Sequence, residues 1–302
     1  MSPSTLASAL PDRSSRSLRT LRASGGARVG TVILAVVGLC AMAPHLLAPF
    51  DPTEQRLLAR FTPPLSTAAD GTLAVLGTDQ LGRDILSRLI YGARTSSLIG
   101  FAAVLLAGLT GTTLGLLAGV RGGASDHTVM RLADMQLAFP FILLAITVIG
   151  ILGPSIRNLI LVVGLSNWAA YARVVRAETL AVRERPYVEA ARSLGLPVPR
   201  IVLRHILPNV SASLMVVATF GIAGAILTEA GLSFLGLGVP VAIPSWGGML
   251  AEGRQYVDTR YWLALFPGAA LFMTVMAINL VGDTLRDTLD PYLYARRNLD
   301  QL

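Results

Sequence analysis

Apolar residues along this chain gather in long runs instead of alternating with polar ones. A membrane-crossing helix needs about 20 mostly apolar residues. Six stretches meet or approach that length: Val29–Ala48, Leu98–Val120, Leu137–Leu152, Leu159–Val175, Leu214–Leu237 and Trp262–Val281. The third and fourth are short alone, and Gly153-Pro154 between them reads as a tight turn joining two helices. The pattern predicts an all-α integral membrane protein with six transmembrane helices. It divides into a tail over 1–27, a first span within 28–50, an external loop over 51–97 and a bundle over 98–285. An internal loop over 183–209 interrupts the bundle, and a second tail covers 286–302.

The first run follows Arg13, Arg16, Arg19, Arg22 and Arg28, as in the n-region of a secretory signal, and Ala41-Met42-Ala43 resembles a cleavage site. Cleavage there would put Pro44 first in the mature chain, and Leu39 is too large to precede a lipidated Cys40. An uncleaved anchor is therefore expected.

Composition agrees with a bilayer as solvent: 53% of residues are hydrophobic and 14% charged, against about 25% charged in a soluble domain. All 25 basic residues are arginine. A Walker A loop places a lysine on the β- and γ-phosphates, so no standard P-loop is present, and any ATP is hydrolysed by another chain. The net charge of +7 does not point to nucleic acid, because the arginines flank apolar runs without a patch of stacking aromatics. Their distribution orients the chain instead. With the N-terminus inside, internal segments hold 17 arginines and external ones 8, which predicts that both termini face the cytoplasm. The single Cys40 excludes an intrachain disulfide, and His45, His127 and His205 are too scattered for a metal cluster.

Within the second run, Gly111, Gly115 and Gly119 share one helix face. The spacing suits close backbone packing or a pore-lining face. Asp79, Arg83 and Asp84 precede that run and read as a solvated turn with local ion pairs, or as a metal or substrate contact. The stretch after them, with Ile85 and Leu89 around Arg88, reads as an amphipathic segment lying in the outer interface. Glu229 stands in an apolar run, where an ionisable residue faces protein or a water-filled cavity. It either makes a structural hydrogen bond to a neighbouring helix or serves an outer gate or translocation path. Asp283, Arg286, Asp287 and Asp290 read as an ion-paired end to the last helix.

The loop Arg183–Asn209 reads RERPYVEAARSLGLPVPRIVLRHILPN. Tyr187–Leu194 has a short helical pattern, Gly195 permits the left-handed conformation that ends a helix, and a second helical stretch, Arg200–Ile206, leads to Pro208. A short helix with small side chains at Ala190 and Ala191 suits a groove in another protein, where Glu189 can accept charge-assisted hydrogen bonds.

This loop resembles that of the permease family of bacterial ABC importers, which has the form EAA-x3-G-x9-I-x-LP. Glu189, Ala190, Ala191, Gly195, Leu207 and Pro208 match, and His205 replaces the isoleucine. The segments Leu76–Leu98, Trp168–Arg176, Glu229–Gly238, Pro244–Leu250 and Asn279–Pro291 are similar to the C-type permeases of dipeptide and oligopeptide importers. The resemblance covers about residues 28–292. It implies a type I ABC importer permease fold, a B-type permease completing the pore, and two ATP-binding subunits or one fused ATPase using ATP and Mg. It further implies an external substrate-binding protein, a coupling role for the loop, and no cofactor, metal site or catalysis in this chain. Relatives of this branch carry dipeptides, oligopeptides and sometimes nickel, so peptide is the expected cargo with nickel or another small solute as the alternative. An ion-gradient-driven transporter is a further alternative, but no convincing internal repeat supports it. No serine–histidine, paired-aspartate or HExxH arrangement in the spans supports an intramembrane enzyme.

Overall fold

A computed structural model of the chain describes residues 25–289. Arg13, Arg16, Arg19 and Arg22 of the first tail, and Asp290 with the rest of the second, lie outside the described residues. The elements are α1 (Gly25–Met42), α2 (Ile85–Arg121), α3 (Gly123–Ala138), α4 (Phe141–Leu152), α5 (Ile156–Arg183), α6 (Pro186–Ser193), α7 (Leu207–Phe234), α8 (Trp246–Gly253) and α9 (Trp262–Leu289). The only strands among the described residues, β1 (Ser66–Thr67) and β2 (Leu73–Ala74), form a small antiparallel hairpin outside the bundle.

Five helices are long and apolar enough to cross a membrane, and α3 with α4 supplies a sixth span if the bent pair is counted as one. The expected third span, Leu137–Leu152, is not one straight helix. Phe139 is extended (φ −85°, ψ 127°) and the chain bends by 85° between α3 and α4. Pro140 is the cause: it disfavours the helical region for the residue before it and has no N–H to continue the ladder. At 1.5 Å per residue, α4 alone is about 18 Å long. The turn into α5 forms as the sequence predicts, with Gly153 at φ +80° and the Asn158 amide donating to its carbonyl at 2.8 Å.

The segment expected to lie flat in the outer interface is instead the beginning of α2. Asp84 caps that helix by accepting from the Ser87 N–H at 2.8 Å. The helix then runs 37 residues without a break, about 56 Å. Ile85, Ser87, Arg88 and Ile90 are all buried by protein. The stretch looks amphipathic because its charge meets other charges inside the fold, not because one face meets water.

Helix α2 is the hub of the bundle. Its Gly111–Gly115–Gly119 face lies directly on α5: a Cβ at these positions would stand 2.5 Å from the Trp168 carbonyl oxygen, 2.6 Å from that of Ala172 and 2.7 Å from Thr179 Cβ. Close packing is thus the role of this stripe. The adjacent core gathers Ile99 and Ala103 of α2, Ala145 and Ile149 of α4, Leu159 and Val163 of α5, and Ala225 and Leu232 of α7. Helix α1 packs on α9, where a Cβ at Gly30 would meet the Ala277 carbonyl oxygen at 2.9 Å. Asp283, Arg286 and Asp287 are exposed on the last turns of α9.

Candidate functional site: the loop over 183–209 and two buried polar clusters

The loop over 183–209 is ordered by its own small core. Proline at the first position of α6 suits a helix start, where the missing N–H has no partner to lose. Val188 and Ala191 of α6 are buried with Val175 and Val182 of α5, Ile201 and Ile206 of the return segment, and Val210 of α7. Helix α6 ends in a Schellman motif: the Leu196 N–H donates to the Ala191 carbonyl at 3.2 Å and the Gly195 N–H to that of Arg192 at 3.0 Å. Gly195 has φ +76°, and open space surrounds the position a Cβ would take. Its requirement for glycine is therefore one of backbone conformation and not of crowding.

These contacts correct one expectation. Ala191 faces the chain's own core and is not available to a foreign groove, because the i+3 pair Val188–Ala191 is what holds α6 down. The outward face presents Glu189, Ala190, Tyr187 and Leu194, the last 80% exposed, with Val198 and Leu203 exposed beyond the turn.

The return is not a separate stretch either. One turn of helix, Val198–Ile201, passes through a π-turn, Val202–Ile206, into α7. Pro208 offers no N–H and crowds the carbonyl four residues earlier. The wider turn before it keeps the chain helical, with Leu207 N–H donating back to Val202. Leu207 is half-buried and Pro208 exposed. His205 stands 6.1 Å, ring to ring, from Tyr187, and Asn209 donates both to the Tyr187 hydroxyl (3.2 Å) and to the His205 carbonyl (2.6 Å). A push on α6 therefore passes through Val188, Ala191 and Tyr187 into a helical run that continues to Phe234.

Near the far end of that run lies Glu229, fully buried. Its carboxylate accepts from Ser233 Oγ at 2.7 Å and from Ser96 Oγ of α2 at 3.2 Å. Ser96 accepts in turn from the Trp246 N–H of α8 at 3.3 Å, and the Trp246 indole donates to the Leu89 carbonyl at 3.0 Å. Glu229 thus makes the hydrogen bond to a neighbouring helix that is one of the two readings open to it, and through Ser96 it joins α7 to α2 and α8. Glycines let α8 approach this closely: a Cβ at Gly92 would meet Trp246 Cδ1 at 2.9 Å, and one at Gly247 would meet Ala230 Cα at 2.5 Å.

A second polar cluster stands beside α8. Asp79, Arg83 and Asp84 are not solvated: each is at most 5% exposed. Asp79 accepts from Arg83 Nε at 2.6 Å and also pairs with Arg88. Glu252 of α8 binds Arg88 through two nitrogens, each at 2.9 Å, pairs with Arg83, and accepts from Gln80 at 2.9 Å. Burial alone would raise the Glu252 carboxyl. The Arg88 hydrogen bonds and the charges of Arg88 and Arg83 outweigh it, holding the carboxyl below its ordinary value. Glu252 escapes a sequence reading because its arginines lie more than 160 positions earlier, and a lone acid after Leu-Ala carries no local signal.

Residues 111–293 match the family described as binding-protein-dependent transport system inner membrane component, and residues 14–64 match the N-terminal transmembrane domain of oligopeptide transport permease C. A di/tripeptide transport system permease protein of Pseudomonas aeruginosa is 42% identical over 89% of this chain and 88% of its own length. A nickel transport system permease protein of Escherichia coli is 41% identical over 88% of this chain and 94% of its own. Among solved structures, the inward-facing MetNI methionine ABC transporter aligns with a TM-score of 0.54 at 20% identity, over 67% of this chain and 96% of that one. That last likeness speaks for the fold alone.

Proposed function

The chain belongs to the binding-protein-dependent transport inner membrane component family and is an ABC-importer permease, and from that premise we propose that it imports dipeptides or oligopeptides as the C-type half of a heterodimeric pore. A B-type permease forms the other half. Two ATP-binding subunits, or one fused ATPase, use ATP and Mg beneath it, and an external binding protein delivers cargo. Both termini face the cytoplasm in this reading, and the chain itself performs no covalent chemistry.

The observation that carries the mechanism is the mechanical continuity from α6 to Glu229. The outward face of α6 (Glu189, Ala190, Leu194) seats in the ATPase. Its buried face bears on the base of a helical run that extends from Val198 to Phe234. ATP-driven closure of the ATPases moves α6, the run transmits the movement, and the Glu229–Ser96–Trp246 junction responds at the outer gate. To move the pore from mostly one facing state to mostly the other, closure must favour one state by about 5 kcal/mol.

Several relatives named for di- and tripeptide transport support a peptide cargo. The nickel-transport relative, at similar identity, keeps nickel as the second reading. The test is uptake by the complete transporter in vesicles, with ATP inside and the binding protein outside. Dipeptide accumulation that requires ATP and resists an uncoupler is expected. Accumulation of Ni²⁺ without dipeptide overturns the cargo, and uptake that survives ATPase-dead partners but collapses with the uncoupler overturns the energy source.

A further inference from the structure

Between α2, α5 and α7 lies a groove of about 130 Å³, lined by Ala103 and Val104, Asn167 and Tyr171, and Gly221 and Thr228 among others. Three features set it apart from lipid-facing surface. Tyr171 is only 3% exposed, yet its hydroxyl, pressed against Gly221, has no hydrogen-bond partner among the described residues. Asn167 is exposed about 17 Å along α5 from its first residue, well inside a membrane span. Thr228 stands about 9 Å before the end of α7 and carries a third polar side chain to the same groove. Asn167 and Thr228 each donate to a carbonyl of their own helix, Val163 at 2.8 Å and Gly224 at 2.7 Å, and keep acceptor capacity for the groove. The Tyr171 hydroxyl has no such bond, hydrocarbon offers it no partner, and an unsatisfied polar group there is costly.

Resting on the importer reading above, we propose that this groove is a transit site for cargo, where the Tyr171 hydroxyl donates to a carbonyl oxygen of a passing peptide between Asn167 and Thr228. The lining is neutral, with hydroxyls and an amide but no carboxylate, thiol or imidazole. A divalent metal takes those missing ligand types, whereas peptide groups present the carbonyls and N–H groups that hydroxyls and an amide match. Gly221 contributes by leaving room for the hydroxyl: a Cβ there would stand 2.2 Å from it. The site therefore selects amide-bearing solutes by hydrogen bonding rather than by charge.

The test uses the complete transporter in vesicles. Tyr171→Phe removes one oxygen and no hydrogen bond among the described residues. The complex is expected to stay intact by size exclusion, while the uptake efficiency for a dipeptide falls about three- to tenfold, the loss of one hydrogen bond. In a Cys40→Ser background, Thr228→Cys is expected to react with a water-soluble thiol reagent and to be protected by turnover with dipeptide and binding protein. Wild-type uptake by Tyr171→Phe, or labelling at position 228 that cargo does not alter, overturns the transit site while leaving the importer reading intact. Loss of the partner permease from the Tyr171→Phe complex overturns it in favour of a subunit contact. A wild-type transporter that takes up no dipeptide overturns the peptide reading and the site together.

Discussion

Glu252→Ala perturbs the buried charge cluster beside α8, where Glu252 pairs with Arg83 and Arg88. Two arginines and two carboxylates balance there, and Asp79, Arg83 and Arg88 have side chains only 3%, 6% and 4% exposed. Charge centres about 4 Å apart attract by about 4 kcal/mol at the effective dielectric of a protein site, and desolvation offsets much of that. Removing one member leaves a guanidinium uncompensated, which in a buried pair costs about 3–5 kcal/mol. The Glu252 side chain is 17% exposed, so water reaches the vacated space and the loss is about 2–4 kcal/mol. That corresponds to a melting midpoint about 4–8 °C lower for the detergent-purified complex at pH 7. The pH dependence adds a sign. The folded carboxyl is held below its ordinary value, so its contribution is complete above the usual carboxylate range, near pH 4.3. It disappears as pH falls through the lowered value. The gap between wild type and variant should be full at pH 7 and close below about pH 4. Equal midpoints at pH 7, or a gap that persists undiminished at low pH, would refute the reasoning.

Three further substitutions probe α6, Glu229 and the contact between α2 and α5. Gly195→Val places a β-branched residue at φ +76°, a conformation that costs non-glycine residues at least about 1–2 kcal/mol; membrane insertion should be normal, with ATPase co-purification reduced or hydrolysis uncoupled from uptake. Normal transport by this variant would show that α6 does not depend on its turn. Glu229→Gln keeps the shape but replaces one acceptor with a donor, against about 1 kcal/mol of hydrogen bonding; assembly should survive while uptake falls several-fold, and unchanged uptake would remove the acid from the gate. Gly111→Leu drives a side chain into the Trp168 carbonyl and Tyr171 Cβ, both 2.5 Å from the added Cβ. Overpacking of this kind costs about 1–3 kcal/mol or more, and lower yield with a reduced melting midpoint is expected, whereas wild-type stability would contradict the α2–α5 contact.

The apolar runs determined by themselves that the chain spans a membrane several times, because run length against bilayer thickness is a local property. The turns at Gly153 and Gly195 were equally legible, since a positive φ is a demand on one residue. The stripe Gly111–Gly115–Gly119 announced a close approach, although not that α5 is what approaches. Proline effects were not legible: Pro140 breaks a run that the apolar pattern carries straight through, whereas Pro208 ends nothing, since a π-turn absorbs it.

What the tertiary structure decided was the meaning of each polar residue. Asp79, Arg83 and Asp84 look like a solvated turn, and Arg88 like part of an interfacial stretch, until Glu252 arrives from α8 to pair with both arginines and makes burial tolerable. Glu229 gains its partners from Ser96 and, through it, Trp246. Ala191 belongs to the internal core once Ile201 and Ile206 fold back on it, leaving Glu189 and Ala190 outward. Hydrophobic pattern is written along the chain because solvent acts on each residue separately. Charge neutralisation and hydrogen bonding are pairwise, and their partners lie as far apart as the fold can bring together.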